Sequence, residues 1–222
     1  MADLTEQQAE RVAAAEAVDG WMRTSELRWL AQQADGKDLV IEFGAWVGKA
    51  TTVLLGAKKV VSCDSWSTEL GLKWDDHHVK PGLPFNRFFE THRQPIVDGV
   101  LIPYVMDLAH KDFRDTLARD YGGKGDLVFI DADHTRQGVT RDIETALRVL
   151  RPGGVLAGHD YGEKDWPGVA KAVEAAFPGF EDIARSATHN RGRGPQLAAT
   201  IAGHRYTAVL PGGSIWALVP IE

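Results

Sequence analysis

The sequence predicts an α/β fold: a mostly parallel sheet with helices on both faces, finished by an antiparallel hairpin at its C-terminal end. Three observations predict it. Short apolar, β-branched runs alternate with longer amphipathic segments between residues 38 and 177, the order that builds parallel strands joined by crossover helices. The run Asp38 to Phe43 passes through a turn at Gly44, Ala45, Gly48 and Lys49 into the helical spacing of Ala50 to Leu55. Such a strand, glycine turn and helix begin a nucleotide-type sheet. Finally, Tyr206 to Leu210 and Ser214 to Val219 flank Pro211-Gly212-Gly213, and two apolar runs about so tight a turn read as a hairpin.

The chain of 222 residues is 44% hydrophobic and can bury a sizeable core. Residues 1–36 are expected to be an N-terminal helical extension and residues 37–222 a single domain. Thr5 and Gln8 form a capping-box pattern that starts a helix over Thr5 to Ala17. A second helix, Thr24 to Gln33, places Leu27, Leu30 and Ala31 on one face and stops at Gly36. Both helices are expected to cover a sheet edge or the mouth of a site. Lys59 to Asp64 is a second buried strand. Trp66 to Pro84 is polar and irregular, with Trp74-Asp75-Asp76-His77-His78 at its centre; a loop of that length suits a lid over a substrate.

Pro84 to Gln94 has helical spacing, with Phe85, Phe88 and Phe89 assigned to the core. Val100 to Val105 is the third strand. Asp107 then serves as the N-cap of a helix over His110 to Tyr121, in which Phe113, Leu117 and Tyr121 share a face. Gly125 to Asp131 is the fourth strand. Thr135 to Leu150 is an amphipathic helix with Val139, Ile143, Leu147 and Leu150 toward the sheet, closed by Arg151-Pro152-Gly153-Gly154. Val155 to Gly158 is the fifth strand, and Pro167 opens a helix with Val169, Val173, Ala176 and Phe177 inward.

Composition excludes several functions. The net charge is −6 and no run of Lys or Arg reaches four, so no nucleic-acid-binding face is expected. The stretch Arg185 to Arg193 reads as a loop. A single cysteine, Cys63, excludes an internal disulfide and a cysteine-based zinc site, and reads as a small core residue. The N-terminus carries acids and no apolar core, unlike a signal peptide. No stretch approaches 18 apolar residues, so no membrane span is expected. A soluble, cytoplasmic protein is the expectation, with a homo-oligomer left open.

In an open parallel sheet, ligands sit outside the carboxyl ends of the strands. Strands one, four and five deliver Glu42, the group Asp131 to His134 and the pair His159-Asp160 to that edge. The turn reads Glu42-x-Gly44-x-x-x-Gly48 rather than G-x-G-x-x-G, which disfavours a nicotinamide dehydrogenase. An acid there repels phosphates and suits a cationic amino-acid-like group or ribose hydroxyls. Asp64, at the end of the second strand, is placed to accept from both ribose hydroxyls, and Trp66 offers a ring to an adenine. Asp131 and Asp160 present hard oxygens suited to Mg²⁺; with His159 they would suit Mn²⁺, Fe²⁺ or Zn²⁺.

With Glu42, Gly44 and Gly48 in matching places, the turn resembles motif I of the class I S-adenosylmethionine-dependent methyltransferases, whose Rossmann-like sheet has the same order of elements. The Asp131, His134 and His159-Asp160 group resembles the metal-dependent small-molecule O-methyltransferases of the catechol and macrolide-sugar types. In those families an Asp after strand four and an acidic pair after strand five hold the metal, with a base three residues after the first Asp. The resemblance implies S-adenosyl-L-methionine bound by Glu42, Gly44, Gly48, Asp64 and Trp66, with Asp107 on the adenine amino group. It implies a divalent metal, Mg²⁺ first, on Asp131, His159 and Asp160. Asp131 and His134 become the catalytic residues, His134 as a base largely neutral at pH 7, and the acceptor a small hydroxylated molecule such as a sugar or polyketide. His159 departs from the family pair of Asp-Asp or Asp-Asn, and Asp133 is available to supply the missing oxygen. Two other readings use part of the same residues: a cofactor-binding module without catalysis, and a metal-dependent hydrolase.

Overall fold

The computed structural model describes residues 3–66, 83–182, 198–201 and 203–221. The expected lid between Trp66 and Pro84 falls, apart from its ends, outside the described residues, as does the stretch Arg185 to Arg193. Five strands run parallel: β1 (Val40–Phe43), β2 (Val60–Asp64), β3 (Leu101–Val105), β4 (Gly125–Ile130) and β5 (Leu150–Gly158). Three more are antiparallel: β6 (Ala198–Ile201), β7 (His204–Gly212) and β8 (Ile215–Pro220). The sheet order is β3-β2-β1-β4-β5-β8-β7-β6, so the strand order reverses between β1 and β4, where α/β sheets open a crevice.

Alternation along the central strands divides the core in two. Ile41 and Phe43 of β1, with Val128 and Ile130 of β4, pack with α6 (Lys111–Tyr121), α7 (Arg136–Val149) and α8 (Pro167–Ala176). Val40, Leu127 and Phe129 face the other way, toward α1 (Glu6–Glu16), α2 (Thr24–Ala34) and α3 (Lys49–Leu54). Helices therefore cover both faces, as the sequence predicts. The predicted capping box closes α1, with Thr5 and Gln8 each accepting from the other's backbone N–H. Among the described residues no helix is long and apolar enough to cross a membrane.

Several local expectations are corrected. The helix after the undescribed segment breaks into α4 (Leu83–Thr91) and α5 (Arg93–Val97), because Pro95 has no N–H to give the carbonyl four residues back. Phe88 is fully buried there, but Phe89 is 39% exposed. On α6, Leu117 is buried while Phe113 is 42% exposed, and on α8 Ala172 takes the inward place expected of Ala176. Strand β5 begins at Leu150 rather than Val155, because a register shift opposite Gly125 and Leu127 absorbs Arg151 to Gly154 within the strand. Strand β6, unpredicted, extends the hairpin by pairing with β7.

The glycine turn after β1 is set by protein packing rather than by open space for a ligand. Gly44 has φ +86°, and a Cβ there would collide with the backbone carbonyl of Asp131. Left-handed backbone costs a side-chain-bearing residue roughly 1–3 kcal/mol. Gly36 has φ +71° with open space around it. Gly36→Ala should therefore report strain alone, whereas Gly44→Ala should destabilise by more, with chemical denaturation giving the difference. Equal losses would show that β1 and the residues after β4 do not press together at this point.

Candidate active site

Strands β4 and β5 end together. Ile130 lies opposite Gly158, so the next residues leave the sheet side by side, with Asp131 N–H donating to Phe43 O at 2.7 Å and His159 N–H to Ile130 O at 3.0 Å. Asp160 has φ +62°, a conformation that Asp tolerates better than most residues. The His134 ring lies over the same crevice, its Nε2 2.8 Å from Asp160 Oδ2 and 3.8 Å from Asp131 Oδ1. One donor atom each from Asp131, His134 and Asp160 lies within 4.8 Å of the others. Two carboxylates and an imidazole at that spacing fit a divalent cation.

His159 occupies a different place from the one the sequence suggested. Its Nδ1 lies 3.1 Å from Asp160 Oδ1 and 3.6 Å from Asp131 Oδ1. Its Nε2 faces Glu26 Oε2 at 3.2 Å and Ser214 Oγ at 3.1 Å. Both ring nitrogens of His159 are thus turned to protein oxygens, and the cluster of converging donor atoms is Asp131, His134 and Asp160 rather than one that includes His159. Asp133 does not supply a ligand either: it accepts from Thr135 N–H at 2.8 Å and from Arg141 Nη2 at 3.2 Å.

The charges explain the protonation states. Burial lowers the pKa of His134, but hydrogen bonds and charge from Asp131 and Asp160 outweigh it and push it up to about 9. His134 is thus a cation at pH 7 while it faces both carboxylates, which corrects the expectation of a neutral base. His159, despite its own burial, is raised further by Asp131, Asp160 and Glu26. Burial would raise Asp160 and Asp131, yet the two imidazoles hold both carboxyls below the usual range.

On the other side of the turn, Glu42 is fully buried and points toward α3. Its Oε2 accepts from Thr51 Oγ1 and from Ser62 Oγ, each at 2.6 Å. Its Oε1 has no partner among the described residues, and burial pushes its pKa up to about 7 against those two hydroxyls. A buried acid with one unused oxygen, beside a glycine turn, fits a cationic group such as an ammonium. Gly48 caps α3 with φ +94°, and a Cβ there would collide with the His92 ring.

Asp64 is engaged by backbone: Oδ2 accepts from Ala45 and Trp46 N–H at 2.9 and 2.8 Å, and Oδ1 from Trp66 N–H at 2.7 Å. Trp66 is only 8% exposed and packs on Phe85 and Phe88, its indole donating to Trp46 O at 2.6 Å. An adenine platform at Trp66 is corrected to a core residue. Asp107 does not cap α6, whose N-cap is His110; its Oδ1 accepts from Ala109 N–H at 2.8 Å in the preceding turn.

Sequence reasoning missed three residues. Glu26 and Ser214 hold His159, and Trp166 stacks on His134 with centroids 4.5 Å apart and planes at 27°. A signal existed for Glu26: it lies four residues before Leu30, on the apolar face of its helix, where an acid needs a partner. Ser214 and Trp166 carried none beyond their residue types.

The profile of a methyltransferase-domain family matches residues 41–161. No curated protein sequence matches the chain. The O-methyltransferase of Bacillus cereus in complex with SAH is 18% identical and covers 96% of this chain and 89% of its own, with a TM-score of 0.55. CalS11, a TDP-rhamnose 3'-O-methyltransferase of calicheamicin biosynthesis, is 14% identical with a TM-score of 0.53, covering 97% of this chain and 81% of its own. MycE, from the mycinamycin pathway and in complex with Mg, SAH and mycinamycin VI, is 13% identical with a TM-score of 0.55. The match to MycE covers 96% of this chain but 53% of MycE. At these identities the likeness establishes the fold.

The His134 pairing carries a pH signature. Its folded pKa of about 9 lies above the ordinary 6.5, so the pairing stabilises fully below the lower value and is lost as pH rises through the higher one. Thermal midpoints taken across that window should fall for the wild type relative to His134→Asn. Parallel curves would show that the two carboxylates do not hold His134 as a cation.

Proposed function

This chain belongs to the methyltransferase-domain family matched over residues 41–161 and has the Rossmann-like sheet of the class I S-adenosylmethionine-dependent enzymes, and we propose that it methylates a hydroxyl oxygen of a small molecule. The donor is S-adenosyl-L-methionine and the acceptor a sugar or polyketide alcohol. The observation that carries this reading is the convergence of Asp131, His134 and Asp160 at one crevice, across the glycine turn from the unpartnered Glu42 Oε1. The two carboxylates suit a divalent cation, His134 beside them suits a base, and the lone buried oxygen suits an ammonium. The sugar- and macrolide-pathway neighbours support the acceptor class at the level of fold alone.

In this reading Asp131 and Asp160 would hold the cation, Mg²⁺ by preference for hard oxygens. When bound, a divalent cation supplies positive charge that lowers the pKa of an acceptor hydroxyl. His134 takes the hydroxyl proton at Nε2, the nitrogen that lies within 3.8 Å of both carboxylates. It can do so only when Asp131 and Asp160 are engaged elsewhere, because those carboxylates are what raise its pKa to about 9. Trp166 fixes the plane of the His134 ring from the side. The remaining task is to hold sulfur, methyl carbon and oxygen in line, since the donor's positive charge disappears on transfer. Glu42 retains the donor by its amino group and carries no chemistry itself.

Thermal-shift titration with S-adenosylhomocysteine, with Mg²⁺ and with EDTA, tests the donor. A ligand at 100 times its Kd stabilises by roughly 2.7 kcal/mol, at roughly 2–4 °C per kcal/mol for a chain of this size. A shift of several degrees is expected for the wild type and a much smaller one for Glu42→Gln; no shift at saturation would sink the methyltransferase reading. Against a panel of sugar and polyketide alcohols, His134→Ala should lower turnover about 10²–10⁴-fold with S-adenosylhomocysteine affinity retained, and Asp131→Ala should lose stimulation by Mg²⁺. Undiminished turnover would remove His134 from the base role, and retained stimulation would remove the metal from Asp131.

A further inference from the structure

We propose that Glu26, on the N-terminal helix α2, is a positioning residue of this site: it clamps one ring nitrogen of His159 so that the other nitrogen holds Asp131 and Asp160 turned toward each other. The inference rests on the assignment of those two carboxylates to a divalent cation. It extends the site to a helix that precedes residues 41–161, the span matched by the family profile.

Glu26 is 1% exposed, and every group that reaches it donates. Arg23 N–H gives to Oε2 at 2.6 Å, and Ser214 N–H to Oε1 at 2.7 Å. The Ser214 hydroxyl lies 3.1 Å from Oε1, and His159 Nε2 lies 3.2 Å from Oε2. Because the Ser214 hydroxyl is also 3.1 Å from His159 Nε2, it can give its proton to Glu26 and accept from the imidazole. The ring is therefore fixed at Nε2 from two directions. Nδ1 then has one orientation left, toward Asp160 Oδ1 at 3.1 Å and Asp131 Oδ1 at 3.6 Å.

Helix capping does not account for a carboxylate this deep. The same capping position of α1 is filled by Gln8, whose neutral side-chain oxygen accepts from Thr5 N–H at 2.9 Å. Burying a charged acid is costly unless donors surround it. At Glu26 the turn between β7 and β8 is also shaped to meet it: Gly213 has φ +61°, and a Cβ there would collide with Oε1. Three parts of the chain remote in sequence, the start of α2, the end of β5 and the last hairpin turn, thus close on one carboxylate directly behind the metal-ligand candidates.

Glutamine at this position has the same shape but carries an NH₂ group. That group must face either Ser214 N–H or the Arg23 and His159 donors, so one side meets donor against donor. The test is calorimetric titration of the metal-free full chain with Mn²⁺, without cofactor or acceptor, for the wild type, Glu26→Gln, His159→Asn and the double variant. A group that orients metal ligands through one intermediary typically contributes about 10–100-fold to metal affinity. Each single variant should therefore bind Mn²⁺ about 10–100-fold more weakly, and the double variant should bind no more weakly than His159→Asn, since Glu26 acts through His159.

Equal Mn²⁺ affinity in the wild type and Glu26→Gln would overturn the inference and leave Glu26 a helix cap. Additive losses in the double variant would overturn its route through His159. A wild type that binds no Mn²⁺ would overturn the metal assignment and this inference with it, which separates that failure from the others. Should Glu26→Gln lack a cooperative thermal transition, Ser214→Ala removes only the hydroxyl shared by Glu26 and His159. It should weaken Mn²⁺ binding in the same direction, and unchanged affinity there would equally count against the clamp.

Discussion

The parallel pairing of β4 with β5 is the constraint on which the site depends. Because Ile130 and Gly158 are in register, the chain must place residues 131 and 159 next to one another at the carboxyl edge. The register shift lower in β5 matters for the same reason: it absorbs the Arg151 to Gly154 segment far from the site and leaves the pairs from Leu127 to Ile130 regular. On the other flank, Gly44 N–H donates to Cys63 O at 2.8 Å, and Asp131 N–H to Phe43 O. Strands β2, β1 and β4 are thereby tied together where each stops. A slip of one residue in β5 would turn His159 and Asp160 to opposite faces of the sheet.

Collecting acids at one edge raises an electrostatic problem, and the chain solves it differently in different places. Asp131, Asp160 and Glu26 are kept ionised by two imidazoles and several N–H donors. Glu42 has two hydroxyl donors, which do not match its burial, and its pKa rises to about 7. Asp142, buried on α7 with Oδ2 unpartnered among the described residues, rises by burial to about 7 as well. Three carboxylates against two imidazolium ions leave the crevice one negative charge in excess, and release of the His134 proton would leave two.

Much of the fold was legible because its signals are local. Caps, strand runs and the glycine turn are written within a few residues, and the alternation of β-type and helical segments dictates a parallel sheet. The misplaced aromatics have one origin. Phe89 and Phe113 lie at the right spacing for a core, but spacing says which side chains share a face and not whether anything covers it. Trp66 is an aromatic ring beside a predicted ribose site, and stacking on Phe85 and Phe88 leaves the same trace in sequence as stacking on a base. The positions of Asp131, His134, His159 and Asp160 were all readable from strand ends. The different partners of the two histidines were not, because His159 is met by Glu26 and Ser214 at the far ends of the chain.

That dependence bears on how such a sheet acquires a particular activity. The strands and crossover helices supply a crevice and its acids, and these are features of the span from residue 41 to residue 161. What orients His159 comes from α2 and from the hairpin, both outside that span. The N-terminal segment meets later parts of the chain at two further points: Trp21 stacks on Trp46 at 4.9 Å, and Arg23 pairs with Glu163 at 3.1 Å. A change confined to α2 would therefore alter what holds His159 while every strand stayed in place. In this chain the N-terminal segment reaches the carboxyl edge of the sheet through Glu26, which holds His159 from behind.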